Sequence, residues 1–132
     1  MTERFDLADT VVHIGLGSTL TPFSGWNWEQ ATLDRYRDAT AGDGAEGRMV
    51  CLLPQTETWA GWERHPAGEE LVLLLEGRID LIQEIDGEEQ RVELRAGEAA
   101  INPPGVWHTA DVHEPGRGLF ITPGTGTEHR PR

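Results

Sequence analysis

WERHPAGEELVLLLEG, residues 62–77, sets a histidine and two adjacent glutamates against an apolar run, Leu71–Leu75. Charge at the end of a buried strand is harmless where that end reaches water. The alternative is that some of these side chains point inward together and hold something. Strand side chains alternate between faces, so Glu70 travels with Val72 and Leu74, and Glu69 with Leu71, Leu73 and Leu75. In the segment before, Trp59, Gly61, Glu63 and His65 share one face. Downstream, in PGVWHTADV, His108 shares a face with Val106, Ala110 and Val112. Parity therefore permits Glu63, His65, Glu70 and His108 to converge.

The surrounding texture is all-β. Strands are expected at 48–53, 57–65, 70–76, 78–85, 89–94, 98–102, 106–113 and 117–122. Asp86-Gly87, between IDLIQEI and EEQRVEL, is a hairpin signal. Ala96-Gly97 and Pro103-Pro104-Gly105 mark further turns. Many short, closely spaced strands predict an antiparallel sandwich or barrel. Before Arg48 the chain reads as irregular, with a short strand at VVHIG (11–15) whose histidine is structural. Asn27 and Gln30 suggest a helix cap and a short helix over 28–38. AGDGAEG (41–47) reads as a connector. The organisation expected is an N-terminal extension (1–47), a barrel (48–122) and a tail (123–132).

Composition narrows the function. The 132 residues carry 23 acids against 11 bases, a net charge of −12. Every base is arginine, so lysine Schiff-base chemistry is excluded. So acidic a surface repels nucleic acid and anionic membranes. Cys51 is alone in the apolar run MVCLL, which excludes an internal disulfide and a cysteine-rich zinc site and fits a buried core thiol. The opening MTERFDLADT has no apolar signal core, and no run approaches the ~20 apolar residues of a membrane span. A cytoplasmic protein without a nucleic-acid or membrane partner is expected.

Two imidazoles and a carboxylate on rigid strands, with open positions beside them, are what a facial-triad metal site requires. The spacing adds a likeness. His65, four residues, Glu70, six residues and Gly77 are followed by Gly97, five residues, Pro103, one residue, Gly105, two residues and His108. This resembles the two motifs of the cupin superfamily over roughly residues 48–122. The resemblance implies a small jelly-roll β-barrel that binds one divalent metal, with His65, Glu70 and His108 matching the ligands by type. Three positions depart from the pattern. Glu57 stands for the first glycine, Glu63 for the first histidine and Val112 for the final asparagine. Glu63 occupies a ligand position, where it can ligate a hard cation, support a ligand from behind or act as a base.

Iron or manganese suits such a donor set best, and nickel or zinc can also be held. Trp59 and Val112 share faces with the candidate ligands and are read as pocket walls, although core packing accounts for Trp59 equally well. His129, in the tail, reads as a surface residue or interface contact. Two function classes follow from the resemblance. One is a metal-dependent enzyme acting on a small metabolite, with dioxygenase-type chemistry favoured and isomerase or decarboxylase chemistry also open. The other is a non-catalytic cupin that binds a small molecule, a sugar or a metal. A homodimer using roughly the first 30 residues is expected.

Overall fold

In the computed structural model, which describes residues 3–132, the chain opens with a hairpin of β1 (Thr10–Gly15) and β2 (Thr19–Ser24). β1 pairs on its other side with β3 (Arg48–Gln55), setting His13 opposite Met49. The N-terminal extension is thus not irregular: its hairpin prolongs the barrel sheet. Short runs such as TVVHIG complete their hydrogen bonding against a strand far along the chain, a partner no local window contains. Residues 1 and 2 of the expected extension lie outside the described part.

Helix α1 (Gln30–Thr40) begins two residues later than predicted, and Glu29 takes its N-cap position. Asn27 braces the preceding turn instead. Its Oδ1 accepts from the Glu29 amide at 3.0 Å and from the Thr32 hydroxyl at 2.6 Å. The 41–47 segment is mostly a 3-10 turn over Ala41–Glu46.

The remaining strands are β4 (Gly61–Arg64), β5 (Glu70–Ile85), β6 (Glu88–Arg95), β7 (Ala99–Asn102), β8 (His108–Thr122) and β9 (Glu128–Pro131). All the pairings are antiparallel. The path runs β2-β1-β3-β8-β4-β9, while β5 pairs with β6, β7 and β8. This is the jelly-roll, all-β class expected. The tail is a strand as well, since β9 pairs with β4.

Two predicted breaks proved to be bends. Strands expected at 70–76 and 78–85 form the single 16-residue β5, which changes register at Glu76 and Arg78. Gly77 makes the bend at φ +95°, where a Cβ would approach the Glu114 carbonyl oxygen to 2.6 Å. The bulge lets β5 turn a corner without ending its ladder. β8 likewise runs through Pro115-Gly116. At Asp86 (φ 53°) and Gly87 (φ 80°) both turn residues are left-handed, as a two-residue I′ hairpin demands.

From Glu69 to Leu75 the alternation is obeyed. Glu70, Val72 and Leu74 are buried, whereas Glu69 and Leu75 are exposed. Val72, Leu74, Ile79 and Leu81 join Phe120, Leu94 and Ala110 in one apolar core. Each such large aliphatic, fully buried, contributes roughly 1.5–3 kcal/mol. The core sits on the same face of β5 as Glu70 and forms the floor beneath it. Among the described residues, no helix is long and apolar enough to cross a membrane.

Candidate metal centre

His65 follows β4, Glu70 opens β5 and His108 opens β8, so three strand ends deliver these side chains to one place. Their relative exposures are 3%, 3% and 0%. Nε2 of His65 lies 3.2 Å from Glu70 Oε2, and Nε2 of His108 lies 3.2 Å from Glu70 Oε1. Neither approach is aligned as a hydrogen bond, and both Nε2 atoms are buried without a partner.

The outer ring nitrogens are engaged. His108 Nδ1 is 3.2 Å from the Val106 carbonyl oxygen, and His65 Nδ1 is 2.9 Å from the Thr127 hydroxyl. A carbonyl only accepts, so in the neutral ring Nδ1 of His108 holds the proton and Nε2 turns a lone pair inward. The Thr127 hydroxyl can accept in the same way. Glu70 is held just as firmly: Asn102 Nδ2 donates to Oε1 at 2.9 Å, and the Thr122 hydroxyl donates to Oε2 at 2.6 Å. Behind Asn102, Gln83 Nε2 donates to its Oδ1 at 2.8 Å. Burial works against the Glu70 charge, but in the metal-free protein a proton placed on the inward Nε2 atoms, of His108 foremost and then of His65, outweighs it and holds the carboxyl well below the usual carboxylate range.

Glu63 stands at the edge of this group. It pairs with His108 across β4 and β8 and keeps a third of its side chain in solvent. One carboxylate oxygen lies 3.8 Å from His65 Nε2, and the other lies 3.6 Å from Nε2 of the exposed His129. One ligand atom each from Glu63, His65 and His108 fall within 4.8 Å of one another.

These residues fit a divalent cation. A buried polar nitrogen left without a partner costs about 1–3 kcal/mol. Here there are two, both facing an ionised buried carboxylate, with the His108 tautomer set from behind by a carbonyl and the His65 ring held by a hydroxyl, as in metal-binding histidines.

The group opens into a cavity of about 1080 Å³. Trp59 lines it, with Nε1 donating to Gln55 Oε1 at 2.7 Å and the ring 6.3 Å from that of His108. Val112 is half-buried against the apolar core and is not among the residues lining this cavity. Its main chain runs along the outer wall, where its amide donates to the Thr58 hydroxyl at 3.0 Å. Cys51 lines the cavity too, and burial, then the charges of Glu70 and Glu63, push its thiol up to about 12. It is therefore an inert thiol under ordinary conditions.

The sequence reading missed Asn102, Thr122 and Thr127. Asn102 was detectable as a polar residue closing the apolar strand AAIN. Thr127 lies in a stretch, GTGTEH, with no periodicity to betray its direction.

A jelly-roll barrel with paired imidazoles and a carboxylate at the ends of its strands is the architecture of the cupins. Residues 48–122 match the family described as "Cupin domain", and the chain belongs to that family. Among solved structures, it is similar to a cupin-2 domain containing protein from Shewanella frigidimarina. That likeness has 25% identity, covers 58% of this chain and 70% of that one, and has a TM-score of 0.50. It is also similar to an uncharacterized conserved protein with a double-stranded β-helix domain from Klebsiella pneumoniae. There the identity is 22%, the coverage 64% and 76%, and the TM-score 0.53. No curated protein sequence matches the chain.

Proposed function

We propose that this cupin binds one divalent metal through His65, Glu70, His108 and Glu63 and presents it to a small molecule in the cavity. The observation that carries this reading is the pair of buried, unpartnered Nε2 atoms aimed at Glu70. Two carboxylates neutralise a divalent ion and, as hard donors, favour iron or manganese over copper. Nickel and zinc remain within the range of two imidazoles. When bound, such an ion supplies Lewis-acid polarisation or, if iron, the dioxygen chemistry usual for two histidines and a carboxylate.

The protein's own residues supply the rest. Asn102 and Thr122 fix Glu70, and Val106 and Thr127 fix the imidazoles, so the ligand atoms need not reorganise. Trp59 walls one side of the cavity beside the centre. Glu63, a third in solvent, is the fourth ligand. A supporting role behind the ligands ranks next and a free base last, because a neighbouring cation favours the ionised carboxylate and opposes the raised pKa a base needs. Metal-dependent oxidation of a small metabolite is the leading activity; isomerisation and decarboxylation use the same centre.

Reconstitution with iron, manganese, nickel or zinc, followed by elemental analysis, tests the metal reading. Near-stoichiometric metal is expected, lost in His108→Ala with the fold retained. Absence of metal after reconstitution overturns it. Oxygen uptake or turnover across a metabolite panel then separates an enzyme from a pure binding protein.

The N-terminal hairpin also supports a homodimer. β2 is an edge strand, and Leu16 and Leu20 are 53% and 67% exposed. Two copies could cover that edge by pairing β2 with β2.

A further inference from the structure

The same cavity has a second polar end, built by residues outside the cupin match. His13, 5% exposed on β1, is held between two groups. Its Nε2 lies 2.7 Å from Asp43 Oδ2, and its Nδ1 lies 2.6 Å from the Tyr36 hydroxyl. A carboxylate only accepts, so Nε2 carries the proton; in the neutral ring Nδ1 is then an acceptor, and the Tyr36 hydroxyl donates to it. Once that proton is committed, the Tyr36 oxygen has only lone pairs left to offer. Burial foremost, with the nearby Asp43 charge adding to it, raises the hydroxyl above the usual phenol range, so it stays a phenol. Tyr36 and His13 both line the cavity that reaches Glu70.

The sheet register gives the separation of the two ends. His13 is opposite Met49, and Met49 is opposite Thr122. The pairing of Leu71 with Ile121 sets Glu70 beside Thr122, whose hydroxyl it accepts. His13, Met49, Thr122 and Glu70 thus form one row across four strands. Three strand spacings make up to about 14 Å along the sheet, less across its curvature. Between the ends the wall includes Met49, Cys51 and Phe120, which are buried and apolar.

Resting on the metal reading for its near end, we infer that the cavity takes an elongated, mainly apolar molecule. Its head coordinates the metal, and its far end carries a hydroxyl or N–H that donates to Tyr36. A methyl or an acceptor-only group at that end would leave the Tyr36 oxygen unmatched. The His13 network also ties α1 to β1 and to the 41–46 turn. That purely structural role predicts no dependence on the ligand's far end, which is what separates the two readings.

The test uses straight-chain alkyl hydroxamic acids, hexanoyl to dodecanoyl, ending in methyl, hydroxyl or methoxy. Affinity is measured by calorimetry with manganese-loaded protein and with metal-stripped protein. At one chain length the terminal hydroxyl should tighten binding about five- to tenfold over methyl, the scale of one net hydrogen bond. Methoxy should bring no gain. Tyr36→Phe keeps the ring against Phe23 and Trp26; it should abolish the hydroxyl gain, with the methyl series bound no more weakly than by the parent, since no oxygen is then left unmatched. A gain that survives Tyr36→Phe, a methoxy series as tight as the hydroxyl series, or no gain at any length overturns the inference. The methoxy comparison is made on the parent protein and does not depend on the variant folding. If stripping the metal leaves hydroxamate affinity unchanged, the metal reading fails, while a Tyr36-dependent gain would still uphold the donor end.

Discussion

The Thr127 hydroxyl lies 2.9 Å from Nδ1 of His65, so a residue in the tail holds a candidate ligand from behind. Removing that contact frees the ring to turn and to change tautomer. Thr127→Val keeps the shape and should lower metal affinity about tenfold, the lower end of what such supporting contacts are worth. The fold and the thermal midpoint of the metal-free protein should change little. Competition with a metal-sensitive dye reads the affinity, and an unchanged value would remove Thr127 from the centre.

Glu63 gives a sharper case. Glu63→Gln removes the charge at nearly constant shape and, if the carboxylate ligates, should weaken metal binding by tenfold or more. Glu63→His should restore binding with a preference moved away from manganese, since imidazole is the softer donor. A glutamine variant that holds metal as tightly as the parent ends the ligand role. Loss of turnover in that same variant would then promote Glu63 to base.

Glu70 should govern acid stability of the metal-free protein. Its folded pKa lies below its unfolded value, so the native state favours the ionised form. That contribution is complete above the ordinary carboxylate range and drains away as pH falls through the folded value. Denaturant titrations of the parent should therefore lose stability on acidification. In Glu70→Gln the acid limb should be flatter and the neutral-pH stability lower. Parallel curves for the two proteins would contradict the assignment.

Assembly can be tested at the β2 edge. Leu20→Glu places a charge at an exposed position of that strand and should shift a dimer towards monomer, with secondary structure intact. Sedimentation velocity distinguishes the two. A parent that is monomeric at working concentration would dispose of the dimer.

The barrel was legible because its signals are local. The Asp86-Gly87 turn, the alternation from Glu70 to Leu74 and the two motif spacings each need only a short window. That parity put Glu70 and Glu69 on opposite faces, and the motif likeness implied Glu70 as the inward one. What stayed hidden depends on partners distant in the chain. β1 gains its place from β3, and β9 from β4; nothing within TVVHIG or EHRP announces either pairing. Gly77 read as a break because a left-handed glycine ends most strands, whereas here β8 carries the ladder past it. His13 read as structural because its partners Tyr36 and Asp43 lie on a helix and a turn, and no strand parity relates them. Val112 shares a face with His108, but that does not fix which part of a long, bent strand reaches the cavity.

β8 is the strand on which β3, β4 and β5 all depend, and it follows every one of them in the sequence. A nascent chain that ends before His108 leaves β3, β4 and β5 each with an edge that nothing yet made can close. Its acquisition of structure is therefore governed by late, distant pairing, which places refolding among the slower β-topologies, on the order of milliseconds to seconds. Until then Leu71–Leu75 has β7 on one edge and an open edge on the other, and the glutamates at its head act as gatekeepers against self-association before they can act as anything else.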